Sequence, residues 1–513
     1  MHDRTAGLYP RPGGIFSQET AMDSTTLQNA RAYEARHGAA IPAAERPAYH
    51  LTPYIGWMND PNGFSFYQGR YHLFYQYYPY DTVWGPMHWG HAVSTDLLHW
   101  DYLPAALAPD SPSDKDGCFS GSAAQLPDGR QLLLYTSVRR EEQPDGKTRD
   151  VQTQSVAVGD GIHYEKPFQT PVLDERHLPD GFSRFDFRDP KIWQEPDGSY
   201  SAVLVGQGKT EGGAALLFHS ADGFRWEYVT ILDASRGEYG VMWECPDFFE
   251  LDGKQVLMVG PMEMQARDEF HNGHCVIALI GSYDPVNHRF VRENVQLMDE
   301  GIDFYATQTM QAPDGRRIMT AWMQAWAGIS DQPHGAKWFG QTICPRELHI
   351  RDGRLIQTPV RELDAAHGAR VLHENVLMEG ETALEGIGGR VADLRVTITP
   401  EGKECRAFTI KLAADGAHST TLTYEPRTRR LILDRSQAGF HQDIVHLRSC
   451  TVRGQSDTLS LRILLDRNSV EVFINGGEQT MTACIYTPPE AERITFAADG
   501  AARISVEQYA LNL

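Results

Sequence analysis

At 513 residues, with 41% apolar and 10% aromatic content, the chain is globular and too long for one hydrophobic core, so two domains are expected. A formal charge of −21 argues against nucleic acid or an anionic membrane as the main partner, because both demand a basic surface. Seven cysteines (118, 245, 275, 344, 405, 450 and 484) follow no CxxC or ligand spacing and read as free thiols of a reducing compartment.

Residues 1–45 read as an arm packed on the body. Residues 1–17 are polar and rich in Pro and Gly, so no secretory leader is expected. No run reaches the ~20 apolar residues of a membrane span, and there is no Asn-x-Ser/Thr sequon. These features fit a cytoplasmic protein. Ser24 or Thr25 can cap a short helix through Arg36, closed by Gly38.

From residue 46 to 349 the sequence repeats. Turn signals at Gln68-Gly69-Arg70, Asp128-Gly129-Arg130, Asp197-Gly198-Ser199, Asp252-Gly253-Lys254 and Asp314-Gly315-Arg316 each precede a strand-like apolar run. A second marker, out of phase with the first, begins at Asp96, Asp160, Asp222 and Asp284. Both recur about every 60 residues, room for four short strands, which describes an all-β, five-bladed β-propeller. A stacked solenoid is the alternative, but its repeats are usually shorter.

All ten tryptophans lie between Trp57 and Trp338. The polar stretch 350–370 reads as a linker with a helical turn in 360–366. Beyond it, 371–513 carries short strand-like runs at 407–412, 419–423, 430–433, 459–465, 470–474 and 493–496. These suit an antiparallel β-sandwich, with Asn475-Gly476-Gly477 as a hairpin turn.

The acids follow the repeat. Asp60, Asp189 and Glu244 each lie nine residues before their turn glycine, as does Ser120; Asp303 lies twelve before Gly315. Equivalent positions on successive blades surround the propeller axis, so these five side chains are offered to one pocket. Paired carboxyl groups at one centre suit glycoside hydrolysis. Asp60, flanked by the potential donors Asn59 and Asn62, reads as the nucleophile. Glu244, bracketed by Trp243, Cys245 and Pro246, reads as the general acid in less polar surroundings. Mutual repulsion among gathered acids should raise at least one pKa. Asp189 can accept two sugar hydroxyls while Arg188 holds its charge, a structural ion pair being the competing account. Gln76, Trp84, Ser120, Asp303 and Trp322 are candidate sugar-binding groups, hydroxyls meeting polar side chains and C–H faces meeting rings. His88 and His91 are spaced HxxH, but a strand would point them to opposite faces, so no metal is expected.

The stretches Trp57-Met58-Asn59-Asp60-Pro61-Asn62-Gly63, Leu73-Phe74-Tyr75-Gln76-Tyr77, Trp89-Gly90-His91, Phe119-Ser120-Gly121-Ser122, Arg188-Asp189-Pro190, Glu244-Cys245-Pro246 and Asp303-Phe304-Tyr305-Ala306, with Asp466 through Phe473 near the end, resemble glycoside hydrolase family 32, the invertase, sucrose-6-phosphate hydrolase and fructanase group. The resemblance implies a retaining β-fructofuranosidase without metal or organic cofactor. In it Asp60 is the nucleophile, Glu244 the acid/base and Asp189 the transition-state stabiliser, with sugar contacts from Asn59, Gln76, Trp84, Ser120 and Arg188. Residues 262–274 depart from the family pattern.

The expected substrates are sucrose, sucrose 6-phosphate or short fructo-oligosaccharides. A fructosyltransferase and a non-catalytic carbohydrate-binding propeller are the alternatives. Whether a 6-phosphate is required and the oligomeric state are left open, a sandwich-mediated homodimer being one arrangement.

Overall fold

The computed structural model describes residues 24–329, 331–332, 335–402, 405–442, 444–454 and 456–513. Most of the expected arm, residues 1–23, lies outside them. Thr25–His37 is an α-helix whose N-terminus is capped by Ser24, the Oγ accepting the Leu27 N–H at 3.1 Å. It is fastened to the outer strand of the first blade. Glu34 accepts the Ala105 N–H (2.8 Å), and Arg31 Nε donates to the Ala105 carbonyl (2.9 Å).

Five antiparallel sheets form the propeller, each following its strands in chain order from the axis outwards. The innermost strands are Gly56–Tyr67, Gly117–Gln125, Phe182–Gln194, Met242–Leu251 and Tyr305–Gln311. The ring is closed by Trp338–Phe339, which leaves the fifth blade to pair in parallel with Gly56 and Trp57 of the first. Second strands are buried along most of their length because neighbouring blades cover both of their faces, and those of the second, third and fourth blades carry apolar runs. In Tyr200–Gly208, Val203 and Val205 pack with Leu257 and Val259 of the fourth blade, while Ala202 and Leu204 pack with Leu132 and Leu134 of the second. This is the period-two alternation of a strand. Burying one such valine contributes about 1.5–3 kcal/mol.

Both sequence markers have a local cause. Gly69, Gly129, Gly198, Gly253 and Gly315 all adopt positive φ at the first hairpin of their blades. Asp96, Asp160, Asp222 and Asp284 sit in the outer hairpins, where each carboxylate accepts backbone N–H groups two and three residues on.

The same logic corrects the expected linker. Arg346–Arg351 and Arg354–Pro359 are the third and fourth strands of the fifth blade, and the polar Asp352-Gly353 is their hairpin turn. The polar turn and the end of the tryptophans resembled a boundary, yet the blade runs to Pro359. The helical turn falls at Glu362–Ala365.

The remaining strands form a sandwich-like C-terminal domain. The 19-residue strand Arg493–Leu511 joins its two halves, pairing with Ala407–Ala414 through its first part and with Ala392–Pro400 through its second. All six expected strand runs are present. His367–Thr382, Ala392–Pro400, Leu447–Thr451 and Gln479–Cys484 were not anticipated.

A buried ionic seam locks the two domains together. His50 lies between Asp466 (2.8 Å) and Glu471 (2.9 Å), and Arg346 bridges Glu471 (2.7 Å) and Asp299 (3.2 Å). Asp303 pairs with Arg435.

Candidate active site

At the level of the acids every innermost strand breaks register with its neighbour. The shifts lie between Met58 and Pro61, Cys118 and Gly121, Arg188 and Lys191, Glu244 and Asp247, and Tyr305 and Gln308. A bulge re-aims side chains that a regular strand would send into the space between blades. Asp189 (φ 61°), Cys245 (φ 46°) and Ala306 (φ 52°) take left-handed backbone conformations there.

These bulges bring Asn59, Asp60, Ser120, Arg188, Asp189 and Glu244 into one hydrogen-bonded cluster. Ser120 Oγ donates to Asp60 Oδ2 (2.5 Å), and Asn59 Nδ2 donates to Asp60 Oδ1 (3.0 Å). Asn59 is itself oriented by Trp57, whose indole N–H donates to its Oδ1 (2.7 Å). Asp189 is fixed at both ends: its own N–H donates to Thr136 Oγ1 (2.8 Å), and its Oδ2 accepts the Cys245 N–H (2.9 Å). The Cys245 thiol reaches Asp60 Oδ2 at 3.6 Å, so the segment carrying Glu244 touches both other carboxylates.

Glu244 departs from the apolar setting expected of it. Arg188 Nη2 lies 3.1 Å from its Oε1, Tyr305 donates to its Oε2 (2.8 Å), and its side chain is 21% exposed. Arg188 was expected to serve Asp189, yet its Nε stands farther from that carboxylate (3.8 Å) than its Nη2 does from Glu244. Burial falls instead on the other two acids. It is the largest cause raising Asp60, opposed by the Ser120 hydrogen bond and reinforced by Glu244. For Asp189, burial outweighs Arg188, and Glu244 and Asp60 add to it, placing the pKa at about 7. Repulsion among the acids therefore contributes, but desolvation dominates.

The remaining candidates divide. Gln76 is buried beside the Ser120 strand, donating to the Cys118 carbonyl (3.3 Å). Trp84, 37% exposed, stands edge-on to Phe119 (5.8 Å), the neighbour of Ser120, and can present a ring face at the rim. Trp322 cannot, being 0% exposed and enclosed by Trp57 and Trp326. Asp303 is also withdrawn: its Oδ2 is held by Arg435 and by the Cys484 N–H (2.7 Å) of the C-terminal domain. Counting nine residues back from Gly315 reaches Ala306, which lies in the fifth bulge, so the offset of twelve marked Asp303 as out of register.

His88 bonds the Pro86 carbonyl (2.9 Å), while His91 bonds His72 (3.0 Å) and stacks on Phe74 (4.0 Å), so the HxxH pair is absorbed by the core. Tyr305, Thr136 and the Cys245 backbone were missed as site groups. Tyr305 and Cys245 stood within recognised motifs; nothing local marks Thr136, which lies 53 residues from the amide it meets.

The N-terminal domain profile of glycosyl hydrolases family 32 matches residues 50–359, and the C-terminal profile of that family matches 362–510. The chain belongs to glycosyl hydrolases family 32. It is 37% identical over 451 residues to a sucrose-6-phosphate hydrolase of Zymomonas mobilis, covering 85% of this chain and 84% of that one. It is also 37% identical over 477 residues to a raffinose invertase of Escherichia coli, covering 88% and 92%. Among solved structures, a mutant Bombyx mori GH32 beta-fructofuranosidase in complex with sucrose superimposes with a TM-score of 0.81 at 32% identity, covering 96% of this chain and 99% of that one. No helix among the described residues is long and apolar enough to cross a membrane.

Proposed function

We propose that this family 32 glycoside hydrolase is a retaining β-fructofuranosidase that releases terminal β-D-fructosyl residues from sucrose and its relatives. The observation that carries the reading is the convergence of Asp60, Asp189 and Glu244 from three innermost strands, tied together through Arg188 and Cys245.

Asp60 attacks the anomeric carbon of the fructosyl ring as Glu244 delivers a proton to the departing oxygen. The bond to the glucosyl oxygen breaks and a fructosyl ester forms on Asp60. Glu244, now ionised, takes a proton from water, which hydrolyses that ester and restores both groups. Ser120 and Asn59 favour the ionised form of Asp60 by donating to it. Tyr305 fits either state of Glu244, because its hydroxyl also reaches the Gly260 carbonyl (3.1 Å). It can donate to that carbonyl while accepting the carboxyl proton, then turn to donate to the carboxylate. Asp189 accepts hydroxyl protons of the ring as positive charge develops on it. The seven free cysteines support work in the cytoplasm.

The test follows sucrose hydrolysis by NMR. Fructose is expected to appear first with retained anomeric configuration, and Asp60→Ala or Glu244→Ala to lower kcat by about 10³-fold or more, the scale of losing a nucleophile or proton donor. Near-normal turnover by either variant, or inverted product, would sink the assignment. Comparing sucrose, sucrose 6-phosphate, 1-kestose and inulin ranks the substrates, and transfer products at high sucrose would reveal fructosyl transfer.

A further inference from the structure

We infer that His274 is a positioning residue for the proton donor: its ring holds the Tyr305 hydroxyl on Glu244. The inference rests on the β-fructofuranosidase reading above and deepens it at the acid/base. His274 lies in the connection between the second and third strands of the fourth blade, Lys254–Met262 and Ile277–Asp284, within the stretch that departs from the family pattern. Glu244 pairs with Gly260 and Met242 with Met262, so this connection rises on the face of the propeller that carries the acids.

The connection is braced. It folds back on itself through paired backbone bonds between Met264 and Gly273 (2.8 and 2.9 Å) and between Arg267 and Phe270 (3.1 and 2.8 Å). Glu269 pairs with Arg453 of the C-terminal domain (2.6 Å) and with Arg354 of the fifth blade (3.3 Å). The His271 ring bonds the Glu300 carbonyl (3.1 Å), and Arg267 lies over the Tyr239 ring (4.7 Å). His274 therefore stands on a fixed support, as a residue that must place another side chain requires.

Tyr305 needs placing because its hydroxyl has two acceptors at similar distance, Glu244 Oε2 (2.8 Å) and the Gly260 carbonyl (3.1 Å). Two surfaces confine the ring. One is the backbone of Gly260, where a Cβ would lie 3.0 Å from Tyr305 Cζ and Oη, so a larger residue would push the ring away. The other is the His274 ring, perpendicular to that of Tyr305 (86°) with centroids 5.4 Å apart, an arrangement aromatic pairs prefer. Without it the Tyr305 ring is free to tilt and its hydroxyl to leave Glu244. Burial lowers the His274 pKa below its ordinary 6.5, against the charges of Glu244 and Glu263. At neutral pH a neutral ring meets Tyr305 and sets no cation beside the proton donor.

The experiment measures kcat, KM and the pH profile on sucrose for wild type, His274→Ala, His274→Phe, Tyr305→Phe and the double variant of His274→Ala with Tyr305→Phe. His274→Ala is expected to lower kcat about tenfold, the scale of one lost hydrogen bond, with KM nearly unchanged. The alkaline limb of kcat/KM is expected to move up by about half a pH unit or more, because the Glu244 carboxylate has lost a donor. His274→Phe, which keeps a planar ring, is expected to restore both. In the Tyr305→Phe background His274→Ala is expected to cost less than about twofold, since the group it acts through is gone. Rates are taken per folded protein, read from circular dichroism; should His274→Ala not fold, His274→Leu fills the space without an aromatic ring and takes its place. A kcat within about twofold of wild type, an undiminished loss in the Tyr305→Phe background, or a rise in KM that phenylalanine does not reverse would overturn the inference. A wild-type enzyme without sucrose turnover would instead refute the activity itself.

Discussion

Replacing Asp189 with asparagine should weaken the enzyme and strengthen the protein at the same time. The Asp189 carboxylate is buried among acids, and its pKa lies near 7 in the fold against an ordinary value of 3.8. A rise of that size corresponds to at most about 4 kcal/mol at 1.36 kcal/mol per pKa unit. The folded carboxyl binds a proton more readily than the unfolded one, so it favours the fold at low pH. That advantage is lost as pH rises from about 4 through about 7. An amide has no such dependence and still offers an oxygen to the Cys245 N–H. Asp189→Asn is therefore expected to melt a few degrees above wild type at pH 8, with the gap closing toward pH 4. Catalysis should move the other way. Two charge-assisted hydrogen bonds to sugar hydroxyls, at about 1.5–3 kcal/mol each, predict a loss in kcat/KM on sucrose of about 10²- to 10⁴-fold. Thermal melts at both pH values, beside steady-state kinetics, read both effects. A variant that melts below wild type at pH 8, or that retains near-normal activity, would refute the reasoning.

Two further outcomes concern the seam between the domains. Asp303→Asn leaves Arg435 buried without its counter-charge, at a cost of about 3–5 kcal/mol in urea unfolding, with KM for sucrose unchanged; a large KM increase without lost stability would return Asp303 to the pocket. At His50, burial alone would lower the pKa, but Asp466 and Glu471 outweigh it and raise it from 6.5 to about 9. The stability His50 adds is complete below about pH 6.5 and is lost as pH rises through about 9. His50→Gln should flatten the stability curve over that window, and parallel curves for the two proteins would contradict the assignment.

The propeller was legible because its punctuation is local. A positive-φ glycine and an aspartate accepting N–H groups two and three residues ahead each need only a few adjacent residues, so both markers survive in the sequence as a period. The same local chemistry misled at Asp352-Gly353, where the last outer hairpin resembled a linker. Asp60, Ser120, Asp189 and Glu244 were found because the acid-bearing bulge keeps its distance from the turn. Asp303 was misplaced by relaxing that distance, and Trp322 because exposure cannot be read from residue type.

The order of residues along the chain thus determined the repeat, the blade count and the shared level of Asp60, Asp189 and Glu244 at the propeller's centre. Only the tertiary structure decided that Arg188 lies closer to Glu244 than to Asp189, that Tyr305 donates to Glu244, and that Asp303 pairs with Arg435. Turn and strand preferences act over a few bonds, whereas these partners lie 56, 61 and 132 residues apart. They meet because packing of blades and domains, rather than any local signal, sets which side chains face each other.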